Sequence, residues 1–161
     1  MKMSKRIMPK GFTLMELLIV IAIIIVLAAA VFVALNPAKR FADSRNARRS
    51  SDVVAILSAL KTQQVDNGGS YLASVTALTV DVPYQIGTAA TGCDSGCTGV
   101  TQAACADLTG LQTAGYLGSV PTDPTAGTAA ETLYSIQRNT SGTVTVAACT
   151  PESAAVITVS R

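Results

Sequence analysis

The chain has 161 residues, with 12 Lys and Arg against 10 Asp and Glu, and no histidine or tryptophan. Without an imidazole it has no His-containing metal site and no catalytic dyad or triad that relies on a histidine base. Near-balanced charge, three Phe and four Tyr give no support to a nucleic-acid interface, where basic surface is interleaved with aromatic rings.

Lys2, Lys5, Arg6 and Lys10 precede residues 17–35, a stretch of 19 without a charge, a Gly or a Pro. As a helix, about 20 such residues cross ~30 Å of hydrocarbon. The basic flank would keep its end in the cytoplasm, as in an uncleaved signal anchor. The small residues Ala28-Ala29-Ala30 also suit a secretory signal peptide, although the apolar region of one is ordinarily only about 7–15 residues long. Neither reading accounts for Glu16 at the edge of the span. A carboxylate in hydrocarbon costs several kcal/mol unless it is paired, protonated or near the interface, so it marks a functional position.

Read with its neighbours, Gly11-Phe12-Thr13-Leu14-Met15-Glu16 resembles the class III signal of type IV pilins and type II secretion pseudopilins. The resemblance implies that a prepilin peptidase removes residues 1–11 by cutting between Gly11 and Phe12, then methylates the new amine of Phe12. It also implies that Glu16 faces the terminal amine of a neighbouring subunit during assembly. At ~4 Å and an effective dielectric near 20, such a pair is worth about 4 kcal/mol before desolvation. Met15 stands where many relatives carry Ile or Leu. The fold implied is an α+β pilin fold. Its long N-terminal helix, transmembrane over residues 12–35 and amphipathic over 36–67, packs against a small C-terminal antiparallel sheet. Processing at Gly11 would leave 8 basic and 10 acidic residues, a net charge of −2.

Asn36-Pro37 follows the span, and proline removes one backbone hydrogen bond and crowds the carbonyl four residues back. A kink or loosened turn is expected near residues 33–37. Beyond it Val53, Ile56, Leu57 and Leu60 recur at helical spacing as one apolar stripe among Arg49, Asp52, Ser58 and Lys61. Lys39 with Asp43, and Arg48 and Arg49 with Asp52, fall where helical side chains can pair. Asp66-Asn67-Gly68-Gly69 supplies the helix stop. Residues 39–61 hold six basic side chains against two acidic ones, whereas residues 66–161 hold two against seven. That asymmetry suits contacts between the head of one subunit and the stem of another, or equally a solvated helix face without a partner.

Residues 68–161 read as a small globular head. Short helices are expected at residues 72–78 and 102–108, and a Gly- and Thr-rich surface loop at 86–101. A hairpin, residues 132–138 and 143–147 about a turn at Asn139-Thr140-Ser141-Gly142, and a third strand at 156–159 make a three-stranded antiparallel sheet laid on the stem, within residues 131–160. Asn139-Thr140-Ser141 is a formal glycosylation sequon, better explained as that turn. The four cysteines, Cys93, Cys97, Cys105 and Cys149, fit no zinc spacing and in an oxidising compartment would form disulfides. Of three connectivities the favoured one joins Cys93 to Cys97 locally and Cys105 to Cys149 as the clamp on the sheet. A host without oxidative folding would leave them as thiols.

Residues 52–68 and the segments Gly115-Tyr116-Leu117 and Val120-Pro121-Thr122-Asp123-Pro124 are similar to the major pseudopilin of type II secretion. Pseudopilins often continue into an acidic calcium-binding loop. Here Thr125-Ala126-Gly127-Thr128 follows, with only Glu131 nearby, so no metal and no cofactor is expected. Serines and threonines without a base, scattered acids and no phosphate-cradling glycine motif argue against an enzyme. The expected role is a structural subunit of a type IV pilus or pilus-like filament, for adhesion, motility or DNA uptake, polymerised through its N-terminal helix. Its partners would be further copies of itself, minor pilins, the prepilin peptidase, and an inner-membrane assembly platform with its ATPase. It would lie in the cytoplasmic membrane before assembly and in a cell-surface or periplasmic filament afterwards. The alternatives are a pseudopilin of a type II secretion system and an uncleaved, single-pass membrane-anchored binding protein. Glu16 argues against a filament-tip subunit, which has no neighbour above it.

Overall fold

The computed structural model describes residues 11–161, so residues 1–10 of the expected leader lie outside the described residues. The chain divides into two compact units, one reaching to Ala38 and one spanning Lys39–Arg161.

The first unit is helix α1, Leu14–Leu35, whose 22 residues rise about 33 Å at 1.5 Å each. None of its residues is buried, and its large side chains, from Leu14 to Leu35, are all about half exposed or more. By length and composition it is able to cross a membrane. The helix ends at Asn36, which takes left-handed backbone (φ 42°, ψ 70°) and donates its N–H to Val33 O. Pro37 then opens helix α2, Pro37–Asp66. The proline therefore stands at a first helical position, where its fixed φ suits the helix and its missing N–H breaks no bond. The break itself is carried by Asn36, a residue type that tolerates left-handed backbone.

In the second unit α2 buries Val53, Ile56, Leu57 and Leu60, the stripe expected from their spacing. Burying one such side chain contributes roughly 1.5–3 kcal/mol. The helix stops at Asp66, followed by Gly68 and Gly69 with φ 64° and 94°. The sheet has four strands rather than three: β1 (Pro83–Gln85), β2 (Tyr134–Arg138), β3 (Val144–Ala148) and β4 (Thr158–Ser160), all antiparallel and ordered β1-β2-β3-β4. Three residues, the first a proline, are too short a run to signal β1; it exists because Tyr84 pairs with Ile136 on β2. Tyr134, Ile136, Val144 and Val146 alternate inward and complete one core with the α2 stripe. Asn139 builds the β2–β3 turn: its side-chain amide donates to Thr143 Oγ1 (2.8 Å) and Thr145 Oγ1 (2.9 Å), which explains the sequon as turn chemistry.

Short helix α3, Ala73–Thr76, lies within the expected 72–78. The helix expected at 102–108 is absent, and α4 occupies Thr109–Thr113 instead. Two tertiary restraints explain the displacement. Ala106 makes a parallel bridge with Ile86, its N–H reaching Gln85 O at 2.7 Å, which holds the backbone extended. Asp107 then accepts the Thr109 N–H at 2.8 Å, so the helix begins only beyond it. Residues 86–101 contain no helix or strand, yet they are not all at the surface, because Ile86, Cys93, Cys97 and Val100 are buried.

The disulfide pairing differs from the expected one. Cys93 bonds Cys105 and Cys97 bonds Cys149, with Cα separations of 5.4 and 4.7 Å, and no cysteine is free among the described residues. The chain doubles back so that Cys93 N–H donates to Ala103 O and Cys105 N–H to Ala89 O, which sets Cys93 opposite Cys105. Nearness in sequence therefore misassigned the local bond. Cys97, turned toward the sheet, meets Cys149 directly after β3.

Candidate functional site

Two places concentrate polar chemistry: the start of α1 and the outer turns of α2. At the first, Thr13 is the N-cap of α1, in extended backbone (φ −82°, ψ 151°). Its Oγ1 accepts the Glu16 N–H at 3.2 Å, while Glu16 Oε2 accepts the Thr13 N–H at 3.2 Å and the Thr13 hydroxyl at 3.1 Å. This capping box satisfies two orphan amide donors and sets the carboxylate against the positive end of the helix. Within the single chain the partner of Glu16 is thus Thr13. The arrangement lowers the cost of keeping an acid at the head of an apolar helix. Gly11 and Phe12 lie just before the cap in irregular backbone and are exposed.

The second place was missed in the sequence. Arg49 is 1% exposed, with Nε 2.6 Å from Asp123 Oδ2 and Nη2 3.1 Å from Oδ1, a two-pronged pair. Its remaining donors reach Thr125 Oγ1 (2.7 Å), Asn46 Oδ1 (2.9 Å) and Glu152 Oε1 (3.2 Å). Arg45 also clasps Glu152, Nε to Oε1 at 2.6 Å. Asn46 brackets the backbone of the same residue, donating to Glu152 O at 2.8 Å and accepting its N–H at 3.0 Å. Arg49 does not pair with Asp52 as expected. Asp52 instead takes Arg48 (3.8 Å) and the Tyr134 hydroxyl (2.8 Å).

Turn geometry aims the two acids. Asp123 N–H donates to Thr132 O, Gly127 N–H to Asp123 O, and Thr125 N–H to Asp123 Oδ1. Any side chain at Gly127 is precluded, since a Cβ there would stand 2.3 Å from Asp123 N. Glu152 sits before Ser153 and Ala154, both in left-handed backbone (φ 57° and 55°). Burial pushes the Asp123 carboxyl up, but the Arg49 hydrogen bonds, the Thr125 N–H and the Arg49 charge outweigh it and hold it below its ordinary value. Hydrogen bonds from Arg45, then from Arg49, bring Glu152 down to about 2 against an opposing desolvation. Hydrogen bonding to Asp123 raises Arg49 further above the usual guanidinium range.

This cluster is a clamp joining the stem helix to two head turns. The Asp123 carboxylate is filled by Arg49, the Thr125 N–H and, at 3.3 Å, the Thr150 hydroxyl. Among the described residues no group of three or more His, Cys, Asp or Glu is placed to hold a metal ion. The clamp also revises the charge asymmetry of the sequence, because Arg45 and Arg49 meet head carboxylates of their own chain. The signal available was register: Arg49 lies four residues before Val53 and seven before Ile56, on the buried stripe itself.

Comparison with protein families matches residues 8–32 to the prokaryotic N-terminal methylation motif. The chain carries a class III signal. Such signals are typical of type IV pilins and pseudopilins, and the chain is in this sense prepilin-like. The matched residues contain Gly11, Phe12 and Glu16 and most of α1. Neither the curated proteins nor the solved structures yield a match. The class III signal implies processing by a prepilin peptidase and pilus-like assembly.

Proposed function

We propose that this prepilin-like protein is a structural subunit of a type IV pilus or pilus-like filament, polymerised through α1. The precursor waits in the cytoplasmic membrane with α1 as its single span. The peptidase cuts between Gly11 and Phe12 and methylates the new amine, and the platform and ATPase then lift the subunit into a surface or periplasmic filament. One observation carries the reading: a wholly exposed apolar helix headed by a single carboxylate held in a capping box. Such a helix is unstable in water, so it leaves lipid only as neighbouring α1 helices replace the lipid around it. Cleavage creates a cation one residue before the cap. Glu16 of one subunit exchanges its Thr13 bonds, or shares them, with that amine on a neighbour, which fixes the axial step between subunits.

The test is intact mass with N-terminal peptide mapping of protein from native membranes and from sheared surface material. A terminus at methylated Phe12 in sheared filaments supports the pilus subunit. The same terminus found only in envelope fractions, together with loss of protein secretion on deletion, supports the pseudopilin that residues 52–68 and 115–124 resemble. An intact leader, or cleavage beyond Ala30, refutes both.

A further inference from the structure

Residues 90–104, between β1 and α4, form a lobe that the core does not use. Ile86 and Ala106 stand at its base in the core cluster, and no residue between them belongs to it. The hydrogen bonds of residues 90–104 close within residues 89–105: Cys93 N–H to Ala103 O, Ser95 N–H to Gly92 O, Val100 N–H to Cys97 O. The Cys93–Cys105 bond is internal in the same sense. The Cys97–Cys149 bond alone ties the lobe covalently to the sheet, at the residue after β3.

Beneath the lobe lies Gln85. It pairs with Ser135 and so stands on the sheet face opposite to Tyr134 and Ile136, the residues that pack on α2. Its side chain is fully buried, and among the described residues neither its amide oxygen nor its amide nitrogen has a hydrogen-bond partner. Gly96 of the lobe presses over it: a Cβ at Gly96 would stand 2.7 Å from Gln85 Oε1 and 2.7 Å from Leu133 Cδ2. The closed lobe thus deprives a polar group of water without replacing it, a cost that opening would relieve.

We propose that residues 90–104 are a redox-released lid, locked over Gln85 by the Cys97–Cys149 disulfide. The reductant is a dithiol. One of its thiolates attacks the sulfur of the half-buried Cys149, forming a mixed disulfide and expelling the buried Cys97 as a thiolate. Its second thiol displaces Cys149, the reductant departs as a disulfide, and both cysteines end protonated. The lid then lifts, water reaches Gln85, and the Gln85–Ser135 sheet face is bared while α2, β2 and β3 keep their packing.

Hydrogen exchange on the full chain in detergent micelles tests this, comparing the oxidised protein with C97S/C149S and C93S/C105S. Exchange of peptides covering residues 90–104 is expected to rise roughly tenfold or more in C97S/C149S, with residues 53–65 unchanged. C93S/C105S is expected to loosen the lobe internally while residues 84–86 stay protected. Adding Gln85→Met to C97S/C149S is expected to slow lid exchange by roughly tenfold, because the unpaired amide is gone. A lid that remains protected in C97S/C149S, a parallel rise across residues 53–65, or no effect of Gln85→Met would each overturn the proposal. If C97S/C149S fails to fold, stepwise reduction of the native protein with dithiothreitol, mapped by mass, substitutes. Opening of Cys97–Cys149 before α2 loses protection supports the lid, and simultaneous loss overturns it.

Discussion

Arg49 on α2 and Asp123, at the start of the turn closed by Gly127, form a buried two-pronged ion pair, 1% and 0% exposed at their side chains. Two charges without water are stable only because every strong donor of the guanidinium and both carboxylate oxygens are occupied. Removing one partner strands the other, which typically costs about 3–5 kcal/mol. Arg49→Ala and Asp123→Ala are therefore expected to lower the unfolding free energy by that amount. The double replacement Arg49→Met with Asp123→Leu is expected to cost less than either single change. Denaturant unfolding of the full chain in detergent checks this, and additive losses in the double variant would contradict it.

The same clamp makes stability depend on pH at the acid end. Glu152 lies near 2 in the folded chain against an ordinary 4.5, so its contribution is complete above about 4.5 and disappears as pH falls toward about 2. Asp123, also lowered, acts in the same direction. Thermal stability is expected to be flat from pH 7 to 5 and to fall below about 4.5, and Glu152→Gln is expected to flatten that fall. The measurement is melting temperature against pH for both proteins. A decline of equal steepness in Glu152→Gln would show that other carboxylates dominate.

Non-reducing peptide mapping is expected to recover Cys93 linked to Cys105 and Cys97 linked to Cys149. On the chain-entropy model, bonds closing 12 and 52 residues stabilise by about 3 and about 4 kcal/mol. C97S/C149S is accordingly expected to cost slightly more than C93S/C105S in denaturant unfolding.

The local periodic signals were legible, and the non-local pairings were not. Val53, Ile56, Leu57 and Leu60 announced a buried stripe through spacing alone, and the alternation of residues 132–138 and 143–147 announced the hairpin. Strand β1 and the displaced α4 depend on partners far along the chain, Ile136 for the one and Ile86 for the other, and no local pattern encodes them. The cysteines show the same limit. Their number and compartment implied bonding, but the partners follow from a loop that doubles back. Arg49 was misread because charge was given precedence over register, although its position on the stripe required a buried counter-ion elsewhere in the chain.

The capping box yields the last prediction. Thr13 supports Glu16 within the chain, whereas the neighbour's amine would need Glu16 itself, so the two residues are separable. Thr13→Ala is expected to fray the start of α1 at a cost of about 0.5–2 kcal/mol while leaving the carboxylate available, giving processed protein that still assembles, with lower yield. Glu16→Gln keeps the cap, since an amide oxygen also accepts the Thr13 N–H, but carries no charge to attract the amine. It is expected to be cleaved after Gly11 and to remain in the membrane, with sheared filaments reduced at least tenfold. Immunoblots of membrane and sheared fractions, with the N-terminal mass of each, separate these cases. Normal filament yield from Glu16→Gln would show that hydrogen bonding, not charge, is what the position supplies.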